Sequence, residues 1–140
     1  MNIYFSCSIT GGRNDQKIYQ IIVDYLLKEG HEVPTAHLSG EDILSEEAVI
    51  EPIDVYHRDV KWVNDCDALI AEVSTPSHGV GYEIALALTL IKPVLCCHQK
   101  GRRVSKMLTG NTHPGFRLAA YTDADDIIRQ LGQFLDEIKK

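Results

Sequence analysis

Short apolar runs alternate with longer amphipathic ones along the whole chain. Residues 2–7 read as a first strand, and the stretch that follows, from Ser8 to Arg13, is rich in turn formers. Residues 15–28 place Ile18, Ile21, Ile22, Tyr25 and Leu26 at helical spacing, and Gly30 closes that helix. Residues 31–36 read as a second strand. Residues 37–51 are polar without a clear period, which predicts a loop with a short helix in it. Pro52 suits the first turn of a helix running to about Asp65. Residues 67–73 form a third strand, apolar enough to be central, and a loop over 74–81 carries Pro76, Gly79 and Gly81. A helix to about Ile91, a fourth strand over 93–97 and a helical stretch near 103–108 come next. After a loop over 111–115, residues 117–121 make a fifth strand and 123–139 a final helix capped by Asp123.

This alternation has no internal repeat, low-complexity tract or linker. It predicts one domain over residues 1–140: a doubly wound, flavodoxin- or Rossmann-like α/β fold with a five-stranded parallel sheet and helices on both faces. Ligands of such folds bind beyond the carboxyl ends of the strands, which directs attention to the loops after the first and third strands. A chain of 140 residues can bury a core without staples. The net charge of −6 argues against a nucleic-acid polymer as partner, although oriented backbone N–H groups can hold a small phosphate on an acidic protein. No basic leader or long apolar segment is present, so a cytoplasmic protein without a membrane partner is expected. Cys7, Cys66, Cys96 and Cys97 form no C-x-x-C pair; their spacing suits reduced, buried thiols, and neither metal nor cofactor is expected.

Three places carry candidate chemistry. The loop Ser8-Ile9-Thr10-Gly11-Gly12-Arg13 lets backbone approach a ligand just before a helix, but it is neither a Walker motif nor the dinucleotide fingerprint. Asp59 shares a helical face with Val55, Tyr56, Trp62 and Val63, where desolvation would suit a carboxyl group to hold or deliver a proton; pairing with Arg58 is the structural alternative. Glu83 has helical neighbours Gly79, Val80, Leu86 and Ala87, which offer a carboxylate no donor, so that a ligand or Tyr4 must supply one. Tyr4 lies inside the first strand, and by itself reads as core.

In order along the chain stand Ile3-Tyr4-Phe5, the Ser8–Arg13 loop, Arg58-Asp59-x-x-Trp62, and Ala71-Glu72-Val73-x-x-Pro76-Ser77-x-Gly79-Val80-Gly81-Tyr82-Glu83. Lys92-Pro93-Val94-Leu95-Cys96 and Gly101-Arg102-Arg103-Val104-x-x-Met107 follow. This pattern resembles the 2′-deoxynucleoside 5′-monophosphate N-glycosidase (Rcl) family, within the nucleoside 2-deoxyribosyltransferase superfamily, over nearly the whole chain. The resemblance implies cleavage of the bond between base and deoxyribose. Glu83 would attack C1′ and form a covalent intermediate, Asp59 would assist departure of the base, and the Tyr4 hydroxyl would orient Glu83. Cys7, Ser8, Ile9, Thr10, Gly11, Gly12 and Arg13 would line the sugar and base site, with His37 near the base. Ser77 and the backbone at Gly79 would take the 5′-phosphate. Ser105 would reach that phosphate from a neighbouring subunit of a homodimer. Cys7 and Thr10 depart from the pattern, standing where relatives carry glycine and arginine, and the missing positive charge bears on the choice of base and sugar. The matching position of Ser77 in the transferases is an acid that binds a free 5′-hydroxyl; a serine there favours a phosphate and hydrolysis. Base exchange, hydrolysis of a ribonucleotide such as cytidine monophosphate, and non-catalytic nucleotide binding are the competing readings.

Overall fold

Apolar residues with strand propensity form the centre of the molecule. The computed structural model describes residues 1–9 and 15–140. Its elements, in chain order, are β1 (Ile3–Ser6), α1 (Gln16–Lys28), a 3₁₀ turn (Ala36–Ser39), α2 (Ile43–Ala48), α3 (Pro52–Asp65) and β2 (Ala68–Glu72). These are followed by α4 (His78–Thr89), β3 (Val94–Gln99), α5 (Lys106–Thr109), β4 (Phe116–Tyr121) and α6 (Ala124–Ile138). The strands pair in parallel in the order β1-β2-β3-β4, with Tyr4 beside Leu69, Leu69 beside Val94 and Val94 beside Phe116.

The sheet has four strands among the described residues, where the hydrophobic pattern predicts five. The missing one is the expected strand over 31–36. Only Glu32 bridges to Asn2, with the Ile3 N–H donating to the Glu32 carbonyl at 2.8 Å. Pro34 has no N–H to extend the ladder. The next donor on β1, the Phe5 N–H, is met instead by the Thr35 hydroxyl at 3.0 Å, and the chain turns away into the 3₁₀ turn.

Side chains alternate across the sheet. Ile3, Phe5, Ile70, Leu95 and Cys97 pack with Ile22, Leu26, Ile127 and Leu131 of α1 and α6 on one face. Tyr4, Leu69, Ala71, Val94 and Cys96 pack with Val63 of α3 and Val80, Ile84 and Ala87 of α4 on the other. All four cysteines are buried. Helix starts follow local chemistry: Pro52 opens α3, Ser77 caps α4 and the Asp123 carboxylate accepts the Asp126 N–H of α6 at 2.9 Å.

Candidate active site

The alternation that buries Ile3 and Phe5 on the α1/α6 face turns Tyr4 and Ser6 towards α3 and α4. Both meet Glu83. The Tyr4 hydroxyl donates to Oε1 at 2.9 Å and the Ser6 hydroxyl to Oε2 at 2.5 Å. Burial pushes the Glu83 carboxyl up to about 7, against the pull of these two hydrogen bonds; the neighbouring charge of Asp59 raises it further and that of Arg58 lowers it. Burial first, and then the charge of Glu83, drives the Tyr4 phenol far above its ordinary range, so Tyr4 remains a donor.

Asp59 comes from α3, packed beside α4, and lines the same cavity of about 440 Å³ as Glu83 and Gly79. The size suits a small ligand, and its walls are largely apolar, with Val55, Val63 and Leu86 among them. The Arg58 Nε donates to Asp59 Oδ1 at 2.8 Å and its Nη2 to Glu47 Oε1 at 3.0 Å. The guanidinium also lies 5.0 Å from the centre of the Trp62 ring. His37 stands edge-on to Trp62, its Nε2 3.5 Å from Glu47, and thus adjoins the Asp59 side of the cavity through Glu47.

Ser77 and Ser105 meet elsewhere. Both line a larger cavity of about 780 Å³, walled by Val80, Ile84 and Leu88 of α4 and by Val104 and Leu108, which does not include the two carboxylates. Each serine oxygen caps a helix, accepting the Val80 N–H at 3.4 Å and the Met107 N–H at 3.2 Å respectively. Cys7 joins the α1/α6 core with its thiol 3.7 Å from the Leu38 carbonyl, Ile9 packs against that same core, and Ser8 is buried at the end of β1. Thr10, Gly11, Gly12 and Arg13 lie outside the described residues.

Several groups escape a reading of the sequence. Ser6 looks like an interruption of a strand; its only signal is its place two residues after Tyr4, on the same face. Glu47 comes from a segment without periodicity. Glu72, at the end of β2, is fully buried, with Ser74 and Tyr121 donating to it. Among the described residues no group of three His, Cys, Asp or Glu side chains could hold a metal ion, and no helix is long and apolar enough to cross a membrane.

Comparison with known proteins gives the family and the fold. The family model for nucleoside 2-deoxyribosyltransferase matches residues 3–131. The 5-hydroxymethyl-dUMP N-hydrolase of Danio rerio is 38% identical over 145 residues, covering 100% of this chain and 99% of the relative. The protein of the same name from Rattus norvegicus is 41% identical over 113 residues, covering 78% and 69%. Among solved structures, the CMP N-glycosidase BcmB of Clostridium botulinum superposes with a TM-score of 0.72 at 18% identity, covering 95% of this chain and 99% of that one; at that identity the likeness speaks for the fold.

Proposed function

This chain belongs to the nucleoside 2-deoxyribosyltransferase family, and on that premise we propose that it hydrolyses 2′-deoxynucleoside 5′-monophosphates to free base and 2-deoxyribose 5-phosphate. The observation that carries the reading is a buried glutamate held by two strand hydroxyls in a cavity that also presents a second carboxyl group. In the proposed reaction the Glu83 carboxylate attacks C1′ as the bond to the base nitrogen breaks. Asp59, an ion-paired carboxylate beside Arg58, relays a proton from solvent water to the departing base. A second water then attacks C1′, the Glu83–C1′ bond breaks, and the proton this water loses passes through Asp59 back to solvent. The sum is nucleotide plus water to base plus sugar phosphate. Tyr4 and Ser6 hold Glu83 in place and favour its charged form.

Ser77 supports a phosphate rather than a free 5′-hydroxyl at the far end of the sugar. Its hydroxyl donates readily to an anion, and it stands at the start of a 12-residue helix whose first N–H groups favour negative charge. Hydrolysis is favoured over base exchange on the same ground. A homodimer in which Ser105 reaches the phosphate of the neighbouring subunit is the assembly the family resemblance implies; within one chain Ser105 lines the cavity that also holds Ser77.

The test is a panel of deoxy- and ribonucleoside 5′-monophosphates, including 5-hydroxymethyl-dUMP, with the matching nucleosides beside them, and chromatography of the released base. Release from deoxynucleoside monophosphates is expected. Binding without release of any base would reject the reaction, and release only when a second free base is added would assign exchange instead.

A further inference from the structure

A second buried carboxyl group lies just before the turn that carries Ser77. Glu72 closes β2 with no exposed surface, and its carboxylate accepts from the Ser74 hydroxyl, from the Ser74 N–H at 3.3 Å and from the Tyr121 hydroxyl, at the end of β4, at 3.0 Å. The Ser74 oxygen in turn accepts the Gln99 N–H, at the end of β3, at 2.8 Å. Glu72 thereby ties the start of the turn to the ends of two further strands.

The other side of the turn is tied as well. The Ser74 carbonyl accepts from Arg102 Nη2 at 3.3 Å. The Arg102 guanidinium also reaches both oxygens of Asp15 at 3.4 Å, and the Thr75 hydroxyl donates to Asp15 Oδ2 at 2.8 Å. Arg102 follows β3 and Asp15 precedes α1, so these bonds join the segments beyond β1, β2 and β3. Only Pro76, with its fixed φ, separates Thr75 from Ser77. A displacement of residue 74 or 75 therefore moves Ser77 and the first N–H groups of α4 with it.

A fully buried acid is costly to fold around. Burial pushes the Glu72 carboxyl up to about 7, even though Ser74 and Tyr121 pull it down. A carboxylate is nonetheless the side chain that accepts from a backbone N–H and two hydroxyls at once.

We propose that Glu72 is a positioning residue that sets the Ser74–Ser77 turn for the 5′-phosphate, an inference that rests on Ser77 as the phosphate ligand. Glu72→Gln turns an N–H₂ group towards donors that need an acceptor, and the turn shifts. The expected result is a rise of about tenfold in KM for a deoxynucleoside monophosphate with kcat within about twofold of wild type. Calorimetric titration with 2-deoxyribose 5-phosphate should weaken by the same factor, while the free deoxynucleoside binds as before. Tyr121→Phe, which removes a single donor, should move both readouts in the same direction by about two- to threefold and serves if the Gln variant does not fold. A variant that melts earlier but keeps wild-type KM and sugar-phosphate binding would show Glu72 to be merely structural and overturn the proposal. Ser77→Ala separates the two levels. If it weakens sugar-phosphate binding while Glu72→Gln does not, positioning by Glu72 is wrong and the phosphate reading stands; if Ser77→Ala changes nothing, the phosphate reading itself fails, and the proposal with it.

Discussion

Removing the Tyr4 hydroxyl should move the pH dependence of catalysis to the alkaline side. Tyr4 donates to Oε1 of Glu83 at 2.9 Å, and this bond favours the carboxylate over the neutral acid. A hydrogen bond to a charged group is worth about 1.5–3 kcal/mol, and about 1.4 kcal/mol corresponds to one pH unit. Tyr4→Phe should therefore carry Glu83 from about 7 to roughly 8 or higher. In the proposed reaction Glu83 must be charged to attack C1′, so at pH 7 the active fraction should fall from about one half to about one tenth, a loss of roughly fivefold. The loss should vanish near pH 9, where both proteins are ionised. The assay is kcat/KM for a deoxynucleoside monophosphate from pH 5 to 9.5, with wild type and variant side by side. An acid limb at the same pH in both proteins would refute the reasoning, because the hydroxyl would then not favour the charged form of the nucleophile. A uniform loss at all pH values would reduce Tyr4 to an orienting group.

Glu83→Gln should abolish base release while melting no earlier than wild type; retained turnover would remove Glu83 as nucleophile. Nucleosides lacking the 5′-phosphate should show a kcat/KM at least about 100-fold below that of their monophosphates, the loss falling on KM as expected for phosphate contacts that bind ground state and transition state alike; equal values would leave Ser77 without its proposed role. Burial raises Glu83 from 4.5 to about 7, so the folded state keeps a proton that the unfolded chain has lost. Stability from this group is present below about pH 4.5 and is lost as pH rises through 7. Denaturant unfolding of wild type against Glu83→Gln should show a gap that widens in favour of the variant between pH 5 and 8, by up to about 3 kcal/mol. A gap that narrows with pH would show that the carboxylate is better solvated in the fold than its surroundings allow.

The parts of the molecule that declare themselves locally are legible in the sequence. Pro52 and the face bearing Val55, Tyr56, Trp62 and Val63 predict a helix over 52–65, and α3 has those bounds. Asp123 caps α6, as its position before an amphipathic run implies. The donor-free surroundings of Glu83 point to an outside partner, and Tyr4 is one. The false strand over 31–36 has local apolar character too, but whether it joins the sheet depends on what β1 offers. There Thr35 uses its side chain where a backbone group was expected. Ser6 is separated from Glu83 by 77 positions and Tyr121 from Glu72 by 49, so no window of sequence holds either pair. Arg58 is adjacent to Asp59, but its second contact, with Glu47, depends on how α2 packs.

One cavity therefore gives its two carboxyl groups different company, and the difference follows from the elements that supply it. Tyr4 and Ser6 are alternate residues of one strand, about 7 Å apart on one face. That separation, with a long side chain and a short one, lets each hydroxyl take a different oxygen of Glu83. Neutral donors fix the group without cancelling its charge, which is what the proposed attack on an electron-poor carbon requires. Asp59 sits instead on a helix, where a neighbouring arginine can fold back along the surface, and there the partner is a cation shared with Glu47 and stacked on Trp62. A cation at the place of Tyr4 would compete with C1′ for the same lone pairs. A hydroxyl at the place of Arg58 would leave Glu47, Asp59 and Glu83 facing one another across a largely apolar cavity with nothing to offset their repulsion. The strand hydroxyls leave the charge of Glu83 uncancelled, as the proposed attack requires, and the arginine keeps three acids compatible within one small space.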